Sequence, residues 1–426
     1  MNLITIAMIN LKKIFIPIFT IITFAAFAQQ TPVIIQGATI HIGNGKIIKN
    51  GYIAFDSGKI VFIDSVMRNS YKNAQIINAT GKHVYPGLIL LNTYLGLNEI
   101  DAVRSTRDYN ETGEINPNVR SLIAYNTDSR VVPTAKTNGI TYMQVVPQGG
   151  LVSGTSSVVR TEAYNWEEAN VAEDGIHINW PEINHYARNP EKQQQRLTEQ
   201  REKLDVLFAE ARQYQYKKTT DETNLRLQAM LGLFNNTKIL YLHASSSLGI
   251  LEAIQFIKNQ QPIRAVLVCG SDAHLVANQI KESNLPVIVN LIHSLPNRNH
   301  SDIDQPYKTV AQLINKGILT SIGFSGSWES RNVMFNAGTC AAYGINKEQA
   351  LQLITQNAAK ITGTDATIGT LEVGKSATIL ISEGDILDMK ESVLLHAFID
   401  GVPCDLENSQ NDLYKKYSNR FGIEAK

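Results

Sequence analysis

Several familiar features are scarce or missing in this sequence. Three cysteines in 426 residues, Cys269, Cys340 and Cys404, are too few and too scattered for a disulfide framework or a Cys-x-x-Cys metal knuckle, so stability must rest on the core. Neither sign of charge predominates. The 39 basic residues balance 39 acidic ones, and without a net field the chain has no general means of recruiting nucleic acid. With 18% charged against 43% hydrophobic residues, it is not a disordered, collagen-like or coiled-coil protein. Beyond the N-terminus no apolar run is long enough to cross a bilayer. P-loop and His-Glu-x-x-His motifs are absent, and Gly323-Phe324-Ser325-Gly326-Ser327 departs from a Gly-x-Ser-x-Gly elbow at its fifth place.

What is present has a clear order. Lys12 and Lys13 precede an apolar run from Ile14 to Phe27, and Ala26-Phe27-Ala28 offers a signal peptidase its small-x-small pattern. Residues 1–28 are expected to be a cleaved export signal, because the run is short for an anchor and carries Pro17, Thr20 and Thr23. The mature chain is then expected to be periplasmic or extracellular, with no membrane partner. From Val33 to Val84 apolar and polar residues alternate between Asn44-Gly45, Asn50-Gly51 and Ser57-Gly58, where glycine accepts the positive φ of a tight turn. This predicts a small antiparallel sheet over 33–85. A similar texture returns over 364–404, so the two ends are expected to pair as one β-sandwich, with 405–426 left as a tail.

Between them, short apolar runs are followed by helical periodicity. Ile239 to Leu242 leads into Leu248, Leu251, Ile254 and Ile257; Ala265 to Val268 and Pro286 to Val289 are followed in the same way. That alternation predicts parallel strands joined by crossover helices, an α/β core over 86–363 read as a (β/α)8 TIM barrel. Lys347 to Ile361 predicts its last helix, stopped by Gly363. Over 189–220, Leu197, Leu204, Leu207, Phe208 and Ala211 form one apolar stripe, an inserted amphipathic helix that is either a surface element or a cover for the site.

Chemistry in such a barrel sits where strands end, and those ends offer Asn92, Tyr94, His243, Cys269, Asn290 and Ser325. Gly81-Lys82-His83-Val84-Tyr85-Pro86-Gly87-Leu88-Ile89 resembles the entry into the first barrel strand of the amidohydrolase superfamily. The resemblance is to its imidazolonepropionase-like and dihydroorotase-like members. Ala350-Leu351, Thr355, Asn357-Ala358-Ala359 and Gly363, followed by Ile368 to Ala377, resemble its exit into the sandwich. The resemblance covers nearly the whole mature chain. It implies a barrel with a composite sandwich, and hydrolysis of non-peptide carbon-nitrogen bonds. It also implies a metal site built from a His-x-His pair, a bridging lysine or glutamate, two later histidines and a final aspartate.

At the matching positions this sequence carries Asn92 and Tyr94 for the His-x-His pair, His243 for the strand-five histidine, Cys269 for the next, and Ser325 for the aspartate. An amide oxygen is a poor transition-metal ligand, a neutral phenol is little better, and a serine hydroxyl is no general base near neutral pH. At most two protein ligands remain, fewer than the three a catalytic zinc commonly uses. The expectation is therefore a protein without metal or other cofactor, having a pocket at the barrel mouth for a small amide-like or anionic ligand. Asn92, Tyr94, Glu99, His243, Cys269, Asn290 and Ser325 are its candidates.

Two alternatives stay open. One is an active hydrolase holding zinc through unusual ligands, with His243, Cys269, His274 and Glu99 as the reserve set. The other is a non-catalytic subunit paired with an active homologue, so homo- and hetero-oligomers both remain possible partners. The segment after strand one also carries Arg104, Arg107, Arg120 and Arg130 among Glu99, Asp108, Glu111 and Asp128, which is either an anion-binding loop or a solvated set of paired charges. Gln148-Gly149-Gly150 and Ser153-Gly154-Thr155-Ser156-Ser157 suggest a glycine-rich loop where backbone amides could approach a ligand.

Overall fold

The computed structural model describes residues 31–67, 71, 73–183, 188–216, 222–270, 272–290, 292–296, 298, 300–326 and 328–423. The expected export signal, 1–28, lies outside them. Five strands come first: β1 (Val33–His41), β2 (Ile47–Asp56), β3 (Lys59–Asp64), β4 (Gln75–Asn78) and β5 (His83–Pro86). Eight follow: β6 (Leu88–Thr93), β7 (Ile140–Val145), β8 (Val152–Arg160), β9 (Asn170–Asn179), β10 (Ile239–Ala244), β11 (Ala265–Cys269), β12 (Val287–Asn290) and β13 (Thr320–Gly323). The chain then adds β14 (Ile379–Ser382), β15 (Leu394–Ile399) and β16 (Val402–Pro403).

The two ends share one sheet, ordered β16-β15-β14-β5-β1-β2-β3, with β4 also paired to β1. Ile35, Ile40, Ile53, Phe55, Leu371, Ile379 and Ile381 form its core. Asn50-Gly51 is not the turn its sequence suggested, because β2 runs straight through it. The register against β1 slips there instead, and Asn50 takes a φ of 50°, so the pair makes a bulge. The C-terminal segment is likewise more than a tail: Asn408 caps a helix over Ser409–Phe421, and Gly422 ends it at a φ of 64°.

β6 to β13 close into the expected barrel, in the order β10-β11-β12-β13-β6-β7-β8-β9. One strand departs from the all-parallel expectation. β8 runs antiparallel to both β7 and β9. Only residues 146–151 separate β7 from β8, too few for a crossover, so the chain can only turn back. Ser153 to Ser157, expected as a glycine-rich loop, is thus the buried middle of a strand. At the mouth β7 and β8 splay, and residues 114–119 take the free edge of β8: Asn116 N–H donates to Val152 O at 2.9 Å, and Thr155 N–H to Val119 O at 2.7 Å. Much of the polar segment after β6 is therefore structural wedge.

The barrel floor explains a second departure. Lys347 to Ile361 is not one helix but two, Lys347–Leu353 and Gln356–Thr362, with Thr355 off the helical path at φ −136°, ψ −98°. The break lets Ala358, Ala359 and Ile361 turn under the barrel and pack on the inward side chains Ile89, Leu91, Tyr241 and Ile288. Gly363 stops the second helix at a φ of 74°, as its sequence predicted. The sheet domain grips the same barrel through Tyr142 Oη and Thr378 Oγ1 at 2.8 Å, and through Arg160 and Asp400 at 2.6 Å. At the other end of β5, His41 lies between Glu348 (Nδ1 to Oε1, 2.6 Å) and His83 (Nε2 to Nδ1, 3.0 Å).

Interior packing leaves little room at β13. A Cβ on Gly323 would stand 2.8 Å from Ile288 Cγ2, and 2.9 Å from both Asn290 Oδ1 and the Leu91 carbonyl. Because one of those atoms is backbone, Gly323→Ala is expected to cost about 1–3 kcal/mol by overpacking, read as a lowered urea midpoint at unchanged slope. An unchanged midpoint would mean that β13 can shift outward freely.

Candidate functional site

The residues that fill the barrel above its floor are polar, and most were not singled out by sequence. Along β9 the inward positions carry Gly175 and His177, next to a register slip that also turns Asp174 inward. His177 is fully buried. Its Nδ1 lies 2.8 Å from His243 Nε2 on β10, and its ring stacks on Tyr241 at 4.5 Å between centroids and 9° between planes. Tyr241 Oη donates to Asp174 Oδ2 at 2.6 Å; Gln144 Nε2 donates to the same oxygen at 2.6 Å, and Ser156 Oγ to Oδ1 at 2.7 Å. Gln144 Oε1 in turn accepts the Asn92 backbone N–H at 3.1 Å. The network therefore runs from the end of β6 across β7 and β8 to β9 and β10.

Burial sets the protonation states. Desolvation pushes His243 down to about 4, and His177 well below the ordinary histidine value, with the neighbouring His243 adding to the effect. Both rings are neutral near pH 7. Desolvation raises the Asp174 carboxyl, against the pull of its hydrogen bonds from Tyr241, Ser156 and Gln144. Of the buried side-chain atoms without a hydrogen-bond partner among the described residues, three belong to barrel strands: Asn92 Oδ1, Asn290 Oδ1 and His177 Nε2.

The candidates divide accordingly. By strand parity His243 and Asn290 face the barrel interior, as Tyr241 and Ile288 do, while Asn92 closes β6 at a φ of 54° where the β6–β7 register slips. Asn290 reaches across Gly323 toward β6. Ser325, part-buried, follows two residues beyond β13. The others lie elsewhere. Tyr94 packs against the outer core, 5.0 Å from the ring of Tyr109. Glu99 pins a loop, accepting Asn126 Nδ2 at 3.2 Å and the Arg130 N–H at 3.3 Å. Cys269 alternates outward with Ala265 and Leu267 into the layer between strands and helices, where burial raises its thiol above the usual range. His274 sits on a helical turn, Ala273–Val276.

These positions can be tested against the metal that the resemblance implies. The facing nitrogens of His177 and His243 are spent on each other, both Asp174 oxygens are taken by donors, and Cys269 points away. Among the described residues no three His, Cys, Asp or Glu side chains gather where one ion could reach them. The donor set does not fit a catalytic zinc, which needs three free ligands and an open position.

The missed residues had a signal. In Asp174-Gly175-Ile176-His177-Ile178-Asn179, isoleucines alternate with small or polar residues, the period-2 pattern of a strand with one polar face. In the outer loops, Arg120 forms a two-point pair with Glu173 (2.6 and 3.1 Å), which occupies its fork, and Arg107 bonds the Asp101 carbonyl. The inserted helix, Pro190–Tyr214, buries the stripe read from its sequence, Leu197, Leu204, Leu207, Phe208 and Ala211. It stands beside the mouth.

Known proteins place the chain. Amidohydrolase tasK of Hapsidospora irregularis is 28% identical over 119 residues, a stretch amounting to 24% of this chain and only 11% of that protein. An amidohydrolase from Thermotoga maritima MSB8 superposes with a TM-score of 0.77 at 23% identity, covering 88% of this chain and 99% of its own. Molinate hydrolase gives 0.55 at 12% identity (89% and 95%), and phenylurea hydrolase B 0.53 at 11% (88% and 97%). At these identities the structures speak for the fold alone. The model of the Amidohydrolase family matches residues 198–411, which is half of the sequence, and the chain belongs to that family.

Proposed function

We propose that this is an exported member of the family that binds a small amide-like ligand at the barrel mouth, between Asn92, His243, Asn290 and Ser325, without metal-activated hydrolysis. The observation that carries this reading is the 2.8 Å contact between His177 Nδ1 and His243 Nε2. A buried and a part-buried neutral imidazole bonded to each other have no facing lone pair left for a cation, and without a cation the pKa of water is not brought toward 7. The unpartnered acceptors Asn92 Oδ1 and Asn290 Oδ1 favour a ligand that brings N–H groups, so an amide suits the mouth better than an anion. Export is supported by Lys12-Lys13, the apolar run behind them and Ala26-Phe27-Ala28.

Elemental analysis of the purified mature chain, combined with assays on small amides, dipeptides and cyclic ureides, tests the reading. It expects less than stoichiometric metal, no chelator-sensitive turnover, and calorimetric binding of an amide that Asn290→Ala weakens about tenfold through one lost buried hydrogen bond. Stoichiometric zinc, iron or manganese with chelator-sensitive turnover overturns it in favour of an active hydrolase.

A further inference from the structure

Beside the mouth, a cleft of about 570 Å³ opens between the tip of β9 and the first turns of the Pro190–Tyr214 helix. Its floor is apolar, made by Leu151, Trp180 and Leu197, each at most 8% exposed. The floor is also fixed. Trp180 donates its indole N–H to Glu252 at 3.2 Å, and the Arg201 guanidinium, itself paired with Glu252, lies 5.8 Å from the ring centroid. Glu182, the one acid on the wall, is already saturated: it accepts the N–H groups of Ser245 and Ser246, both at 2.8 Å, and the Ser246 hydroxyl at 2.6 Å.

The rim is different. Lys192 and Arg196 stand four residues apart on the helix, both exposed and both lining the cleft, and neither forms an ion pair among the described residues. Like charges at that spacing repel and weaken a helix. Further along the helix Lys203 is paired with Glu114 at 2.6 Å, and the Glu114 charge is felt by Arg196 as well. Two cations without an ion-pair partner among the described residues, placed over a rigid aromatic floor, have the anatomy of an organic-anion site: apolar walls for the body and a few placed charges for orientation.

We propose that this cleft binds a small carboxylate, its apolar part on Trp180 and Leu197 and its charged end between Lys192 and Arg196. The site adjoins the mouth, since the Trp180 backbone N–H donates to the His243 carbonyl at 2.9 Å, but none of Asn92, His243, Asn290 or Ser325 lines it. Phenylacetate and its uncharged counterpart phenylacetamide are suitable probes, titrated into the full mature chain while the Trp180 indole N–H resonance is followed, assigned through Trp180→Phe. Phenylacetate is expected to shift that resonance with millimolar affinity, and phenylacetamide to bind about tenfold more weakly, the scale of two exposed charge pairs. Lys192→Gln with Arg196→Gln should bring the two ligands to equal affinity while leaving the His177 and His243 ring resonances in place.

Equal affinity for acid and amide in the unaltered chain, an unchanged phenylacetate affinity in the double variant, or no shift at about 50 mM phenylacetate, each overturns the proposal. Metal content and amide turnover report on the mouth alone, so failure of one reading leaves the other standing.

Discussion

Acidifying the protein from pH 6.5 to 4.5 is expected to remove about 2 kcal/mol of unfolding free energy through His243, with His177 acting in the same direction. The unfolded imidazole titrates near 6.5, whereas burial holds His243 down to about 4 in the folded chain. Between those values the unfolded state binds a proton that the folded state refuses. The stabilisation is therefore complete above the unfolded pKa and drains away as pH falls toward the folded one. Asp174, raised by desolvation, has the opposite sign, its contribution being present at low pH and lost as pH rises through its folded value. Replacing both imidazoles, as His177→Gln with His243→Gln, keeps Asp174 and removes the histidine part. Urea unfolding at the two pH values should show the unaltered chain losing about 2 kcal/mol more than the double variant. Parallel losses would mean that the pair is hydrated and that its proposed refusal of a cation lacks a physical basis.

The same histidines show where sequence reasoning reached and where it stopped. His243 closes an apolar run, which marked it as a strand-end candidate, and on β10 it shares the inward face of Ile239 and Tyr241. Its partner lies on a strand that sequence reading passed over, because β7, β8 and β9 form a meander and lack the strand-then-helix rhythm that identified β10 to β13. Serine and glycine in Ser153 to Ser157 imitate a loop, yet β8 is buried on both sides and small residues are what the wedge at 114–119 leaves room for. Helix faces fared unevenly. The stripe from Leu197 to Ala211 was unambiguous since its surroundings are charged. Over Ser247–Asn259, apolar residues occur on two faces; Leu248 and Leu251 are exposed while Ile250, Ala253 and Phe256 are buried. Alternation also decides Cys269. With Val266 and Val268 facing the barrel interior, Cys269 has to face outward, a consequence available from residue parity but overlooked when strand ends were compared by type alone.

Removing the carboxylate beneath the histidine pair should have the largest effect on stability. Asp174→Ala leaves the Tyr241 hydroxyl, the Ser156 hydroxyl and the Gln144 amide without their acceptor, in a site where Asp174 is only 4% exposed. Each stranded donor costs on the order of 1–3 kcal/mol, offset in part by relief of the buried charge, so a net loss of about 3–5 kcal/mol is expected by urea unfolding at pH 7. Asp174→Asn keeps one acceptor oxygen but turns a second N–H toward existing donors, and should fall in between, at about 1–2 kcal/mol. The comparison that matters is the double variant. If the penalty comes from orphaned donors, Tyr241→Phe added to Asp174→Ala should recover about 1–2 kcal/mol, because it deletes one of them. Purely additive losses, or an Asp174→Ala chain within about 1 kcal/mol of the original, would show that water enters and satisfies the site. Tyr241 is also the surface on which His177 stacks, so loosening it should broaden or shift the His177 ring resonances before the barrel unfolds. Stability and site geometry are coupled here through one phenol: its hydroxyl anchors the carboxylate, and its ring holds the histidine that occupies His243 Nε2.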